Sequence, residues 1–421
     1  MKNKITMKEV FVNDFYSDDW SEAVVKALDS VGRRDAILRF PGGGCEFRPH
    51  PELTCYAAIS NHNSNREHPF AIILDGCENI ELAGEPDTEF IMNERFLIPI
   101  RVSNCRNVVL RNISIDFSMD IYIQAKVVRS ENDLFELELE TPCEVTLKNG
   151  ILHFNGEAFF GAAEVEPETL GLRHGTALNF REDYPAKIPV EILAENRIRF
   201  SGQLRQMPPA GIRMTLRCGK RTTPAIFIEK SEQVRLAGIT VYQAAGMGVI
   251  AQASKDICID GFCVKIAPGS NRCYSISADA LHFVNCYGNL RIENCLLENE
   301  YDDAVNIHGI YSIAEKAVSP SEWLVRRPHP AQAGVPLGVS GNRFRAVDPK
   351  TLATFCEFRA ERIEEVDDRY IRLTSDSIPM ALPEGAALEN LDWRFSEVVI
   401  QTISCVMAIR AEFSFPQANT C

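Results

Sequence analysis

The stretch MGVIAQASKDICIDGFCV (247–264) is a short apolar strand, a polar turn and a second strand in which apolar and polar residues alternate. Such a segment leaves its backbone edges open to a neighbour. The chain supplies neighbours of the same layout: PFAIILDGCENIELAG (69–84), IPIRVSNCRNVVLRNISI (98–115), PAIFIEKSEQVRLAGITV (224–241) and ALHFVNCYGNLRIENCLL (280–297). Taking Ile80, Val108, Val234 and Ile257 as equivalent positions gives steps of 28, 126 and 23 residues, and Leu290 follows after 33.

Periods in the twenties, built from β-branched residues with Asn and Gly at the corners, belong to a parallel β-helix whose coils are stable only when stacked. Leucine-rich repeats share the period, but the copies lack regular Leu spacing and a helical return segment. The expected fold class is therefore all-β, a right-handed parallel β-helix. The opening, SDDWSEAVVKALDSVGRRDAILRFPGGGCEF (17–47), has helical periodicity to Ser30, then a strand and a Pro-Gly-Gly-Gly turn, which suits a helix capping the open end of the stack. PGGGCEF lacks the Lys-Ser/Thr of a phosphate loop, so it too reads as a turn.

Two segments break the rhythm with alternating strands and charged turns, and these read as inserted small β-barrel subdomains. The expected organisation is a cap and first coils over 1–117, an inserted subdomain over 118–222, coils carrying the site over 223–311, a second insert over 312–392, and further coil from 393 to 421. The coil pattern resumes at FSEVVIQ (395–401) and decays into SCVMAIRAEFSFPQANTC, which reads as a truncated or frameshifted terminus.

A net charge of −14 argues against nucleic acid or an anionic membrane surface as partner. No stretch approaches 18 consecutive apolar residues, so no membrane span is expected. The 14 cysteines never fall into zinc-like spacing, and several (Cys77, Cys105, Cys286) lie at comparable points of the repeats, which suits buried reduced thiols. Neither a metal nor a cofactor is expected.

The densest polar cluster is SADALHFVNCYGNLRIENCLLENEYDDAVNIHGIY (277–311). Asp279 and Asp302 are 23 residues apart, the step between Val234 and Ile257, which places them at corresponding points of adjacent coils about 4.8 Å apart. With Asp303 beside them they can reach the roughly 6.5–9.5 Å carboxyl separation that admits a water in an inverting glycosidase. Clustered carboxylates raise the pKa of one member and leave another ionised, the division of labour of acid and base. An Asp-Asp pair by itself is more often a solvated turn, as Asp18-Asp19 and Asp367-Asp368 read; Asp279, His282, Asn306 and His308 nearby turn the reading toward a site. His282 reads equally as a substrate contact or a satisfied buried histidine. His308, followed by Gly309, reads as a substrate contact, as does Asn306. Arg272 either holds a hydroxyl or carboxylate or sits in a surface salt bridge, and Glu298 and Glu300 are candidates of the same kind.

The run GMG (246–248), then ADALHF (278–283), IENC (292–295) and DDAVNIHG (302–309), resembles the bacterial α-1,3-galactosidases of glycoside hydrolase family 110, whose pectin-lyase-like β-helix also carries two such inserts. The resemblance implies an exo-acting hydrolase that removes terminal α-1,3-linked galactose, as from the blood group B antigen, with inversion. It implies Asp302 as general acid, with Asp279 and Asp303 sharing the base role. It implies a galactose-terminated oligosaccharide or glycoconjugate as partner, a homodimer as an open assembly, and export to the periplasm or cell surface, although no signal peptide is visible. Ala280 stands where the family pattern has glycine, and the chain is shorter than the family's usual length. A polygalacturonase-like enzyme of family 28 is the nearest alternative. It fits less well because His308-Gly309 follows Asp303 by five residues and no Arg-x-Lys comes after it. A non-catalytic glycan-binding β-helix is the other.

Overall fold

The computed structural model describes residues 7–62, 66–173, 176, 188–218, 221–376 and 382–406. Strands Arg34–Phe40, Glu78–Gly84, Arg106–Phe117, Glu232–Val241, Lys255–Asp260, Tyr287–Glu298 and Phe395–Val406 stack in parallel as one face of a coil. The second face stacks Arg66–Asp75, Ile98–Ser103, Ile226–Glu229, Val249–Gln252, Leu281–Val284 and Val305–His308, again in parallel. This is a right-handed parallel β-helix.

The register follows the inward side chains. Ala36, Ile80, Val108, Val234, Ile257, Leu290 and Val398 form one column, and Ile72, Ile100, Ile226, Val249, Leu281 and Val305 form its counterpart. A parallel sheet covered on its inner face selects β-branched and Leu side chains, because a slip of one residue would turn them out of the core. The steps of 28, 126, 23 and 33 residues expected from Ile80 to Leu290 are those of the column.

The corner before the first column has a left-handed backbone in each coil from Ala36 to Leu290. Asp35, Asn79, Asn107, Gln233 and Asp256 supply it with φ between 53° and 59°, and Gly288 does so at 76°. Asn and Asp tolerate this region better than other side chains. They also bond along the stack, Asn79 Nδ2 to Asp35 Oδ1 at 2.6 Å and Asn107 Nδ2 to Asn79 Oδ1 at 2.8 Å. Beside them runs a column of small residues, Cys77, Cys105, Ser231 and Ser254. Cys105 Sγ, Ser231 Oγ and Ser254 Oγ accept from the backbone N–H of Cys77, Cys105 and Ser231 respectively. The described cysteines are all free thiols.

Helix Trp20–Ser30 closes the lower end. Asp19 caps it by accepting from the Glu22 N–H, and Ala23, Val24, Ala27 and Leu28 are buried against the first coil. The Pro-Gly-Gly-Gly reading needs correction: only Pro41-Gly42 turns, and Gly43–Phe47 is a strand paired with Thr88–Met92. A Cβ at Gly44 would come within 2.9 Å of Ile91 Cδ1.

Two antiparallel sheets interrupt the coils. One, of eight strands from Ile123–Ser130 to Arg213–Cys218, packs around Phe135, Phe154, Phe159 and Phe200. The other, of seven strands from Ser312–Ser319 to Ala387–Asn390, packs around Trp323, Phe344 and Phe358. In each, the strands by which the chain enters and leaves are hydrogen-bonded neighbours, with Ile123 opposite Leu216 and Ser312 opposite Leu388. The coil then resumes with Phe395–Val406 on Tyr287–Glu298. Residues 407–421, on which the expectation of a truncated terminus rests, lie outside the described residues. No helix among the described residues is long and apolar enough to cross a membrane.

Candidate active site

The second face positions the carboxylates. Asp279 lies two residues before strand Leu281–Val284, and Asp303 two residues before Val305–His308. Leu281 pairs with Val305, and the N–H of Ala280 donates to the carbonyl of Asp303 at 3.0 Å. This coil is thus 24 residues long, one more than expected, so Asp303 and not Asp302 stands over Asp279. Asp302 turns in from the preceding corner position. One carboxylate oxygen from each of Asp279, Asp302 and Asp303 lies within 4.8 Å of the others.

Their surroundings differ. Asp279 is 2% exposed, and its Oδ2 accepts from His282 Nδ1 at 2.5 Å. Burial pushes its carboxyl up most strongly. The His282 bond and charge, the Arg221 charge and the Asp303 N–H together outweigh burial and hold it below the usual carboxylate range. Asp302 goes the other way: burial and the charge of Asp279 raise it, with Arg221 and Arg217 opposing. Asp302 is ion-paired with Arg221. Asp303 accepts from Asn306 Nδ2 at 3.0 Å. Among the described residues these are the acids grouped closely enough to interest a metal ion. Two of them already have basic partners, Arg221 and His282.

His282 is fully buried, with one ring nitrogen on Asp279 and the other on His308 Nε2 at 3.0 Å. Both nitrogens are therefore taken by side chains, leaving none for a sugar hydroxyl. His308 is half-buried, pushed down to about 4 by burial and by the charge of His282. Asn306 Oδ1 is buried without a hydrogen-bond partner among the described residues. Arg272 is not bonded to the three aspartates: it donates to Asp116 at 2.8 and 2.9 Å and to Asp120 at 2.8 Å. Glu298 ends the strand Tyr287–Glu298 of the other face, where its carbonyl accepts from Ser275 Oγ.

Two residues escaped the sequence reading. Arg221 enters from the end of the first insert, at the corner that leads into Ile226–Glu229, and only the register of that corner could have pointed to it. His62 comes from a segment outside the coil columns. It is 2% exposed, its Nδ1–H donates to the Ser60 carbonyl at 3.0 Å, and Nε2 has no partner among the described residues. Burial pushes its imidazole down to about 3, with Arg221 and His282 acting in the same direction. Nε2 is thus a bare acceptor. Gly246 makes room for it, since a Cβ there would lie 2.5 Å from His62 Nε2 and 3.0 Å from the Thr223 carbonyl.

Comparisons with known proteins bear on the chain as a whole. The chain is 27% identical over 406 residues to α-1,3-galactosidase B of Parabacteroides distasonis, covering 89% of this chain and 64% of the relative. It is 28% identical to α-1,3-galactosidase B of Phocaeicola vulgatus (89% and 65%) and 25% identical to α-1,3-galactosidase A of Shewanella woodyi (94% and 66%). The chain spans less than two thirds of these relatives' length. No family model matches it. Similar solved structures include an exopolygalacturonase from Thermotoga maritima (11% identity, 72% of this chain and 69% of that one, TM-score 0.30). Another is the A-module of a mannuronan C-5 epimerase from Azotobacter vinelandii (9%, 70% and 59%, TM-score 0.29). The sequence similarity, running along about nine tenths of the chain, is what a member of glycoside hydrolase family 110 would show.

Proposed function

We propose that the chain is an exo-acting glycoside hydrolase that releases terminal α-1,3-linked galactose from glycans such as the blood group B antigen. The observation that carries this reading is the convergence of Asp279, Asp302 and Asp303 within 4.8 Å, in surroundings that push Asp302 up and Asp279 down. Asp302 is the group suited to hold a proton and deliver it to the glycosidic oxygen. Asp279, ionised, and Asp303 are suited to polarise the attacking water. Arg221 steadies the carboxylate that Asp302 becomes. His62 Nε2 and Asn306 Oδ1 offer acceptors for sugar hydroxyls near the carboxylates.

The resemblance implies inversion. Carboxyl groups stand roughly 6.5–9.5 Å apart in inverting pairs and roughly 5–5.5 Å in retaining ones. Nearest oxygens within 4.8 Å are a lower bound on that separation, so the anomer of the released sugar decides between the two.

The test is hydrolysis of a chromogenic α-galactoside and of an α-1,3-linked galactobiose, followed by proton NMR of the first-formed sugar. Release of β-galactose supports inversion, and α-galactose supports retention. Asp302→Asn is expected to lower kcat on the disaccharide by at least about 10²-fold. Absence of turnover in the unsubstituted chain, with glycan binding retained, would leave a glycan-binding module in place of an enzyme.

A further inference from the structure

Three hydrogen bonds run in line from the buried carboxylate to the surface. Asp279 Oδ2 meets His282 Nδ1 at 2.5 Å, His282 Nε2 meets His308 Nε2 at 3.0 Å, and His308 Nδ1 meets the Gly309 carbonyl at 3.1 Å. Each bond requires one proton. A carbonyl oxygen can only accept, so His308 Nδ1 carries a proton. One more lies between the two Nε2 atoms, and a third between His282 and Asp279. Two neutral imidazoles and an ionised carboxylate would hold two. The chain therefore holds one extra proton, and its three side chains together are neutral.

The location of that proton follows from the surroundings. The extra proton belongs to the His282–Asp279 pair, whose contact at 2.5 Å is the shortest of the three and the one that sets an imidazole against a carboxylate. The groups facing this pair are Arg221, His62, Asp302 and Asp303 at the corner, Asn306 in the next coil, and Glu300. Asp279 and His282 are 2% and 0% exposed, whereas His308 is half-buried and Gly309 exposed.

We propose that His282 and His308 couple proton uptake by Asp279 to proton release at the surface. When Asp279 takes a proton from the attacking water, the Nε2 proton of His282 passes to His308 Nε2, and the Nδ1 proton of His308 leaves to solvent. One proton enters and one leaves, so the buried site stays neutral while its base is protonated. The reverse steps restore the chain when Asp279 gives its proton up. His282 and His308 are positioning residues in this scheme, acting through Asp279. The scheme rests on the glycosidase reading of the site.

Two measurements test it. Nitrogen-15 NMR of the histidine rings at neutral pH, without substrate, is expected to show both His282 nitrogens protonated and His308 protonated at Nδ1 alone. A bare nitrogen on His282 would overturn the proton count whether or not the chain hydrolyses galactosides. In kinetics, His308→Gln is expected to lower kcat about tenfold, less than the loss of an acid or base outright, with KM unchanged and the loss restored by added imidazole. An unchanged kcat, or a loss that imidazole does not restore, overturns the coupling. A chain with no α-galactosidase turnover refutes the glycosidase reading alone, since the NMR result stands apart from it.

Discussion

Asp303 stands over Asp279 in the adjacent coil, joined to it through the Ala280 N–H and the Asp303 carbonyl, while Asp302 reaches in from the corner and pairs with Arg221. The two carboxyls that differ most in their environment therefore approach along different directions. That geometry separates what each neighbour does.

Arg221→Ala removes the cation that opposes protonation of Asp302. The Asp302 carboxyl, already raised by burial, should rise further. A general acid must be protonated to act, so the alkaline limb of the pH profile of kcat/KM should move to higher pH. A limb that stays in place, or moves down, would show that Asp302 is not the acid.

Gly246→Ala places a methyl 2.5 Å from His62 Nε2 and 3.0 Å from the Thr223 carbonyl. Overpacking of this kind costs about 1–3 kcal/mol, and the displaced imidazole no longer offers its acceptor. Urea denaturation should show the stability loss and steady-state kinetics a raised KM. An unchanged KM would remove His62 from substrate recognition.

Glu300 is fully buried, neither carboxyl oxygen has a partner among the described residues, and burial pushes it up to about 7 from the ordinary 4.5. Between those values the folded chain holds a proton that the unfolded chain has lost. The stabilisation is complete below the unfolded value and is lost as pH rises through the folded one. Glu300→Gln is expected to change little at pH 4 and to gain up to about 3 kcal/mol at pH 8. Denaturant unfolding at the two pH values reads the difference, and an equal effect at both would sink the assignment.

Arg272 binds Asp116 and Asp120 with 11% of its side chain exposed. Arg272→Ala leaves two acids without their cation and should cost about 3 kcal/mol of stability. KM should not change in the folded variant. A rise in KM without loss of stability would return Arg272 to the substrate-binding role expected from its place in the sequence.

The inward column was legible because one apolar residue per coil must return to the same place, and Ile80, Val108, Val234, Ile257 and Leu290 kept it across unequal coil lengths. Corners impose no such rule. The coil from Asp279 to Asp303 is one residue longer than the one from Val234 to Ile257, and no hydrophobic period records that residue. Arg221 and His62 were illegible for a related reason: both arrive at the site from segments that the repeat does not describe. Gly43 and Gly44 read as a turn, yet they form a strand paired with Thr88–Met92.

The pairing of Ile123 with Leu216 and of Ser312 with Leu388 also bears on how the solenoid assembles. Joining Val108 to Val234 across an unstructured loop of 126 residues would cost about 1.5 kcal/mol more chain entropy than closing a coil of 23. An insert that folds first, with its two connecting strands side by side, returns the chain to its point of departure and removes most of that difference. Growth of the stack can then pass each insert as though the interruption were a short bend.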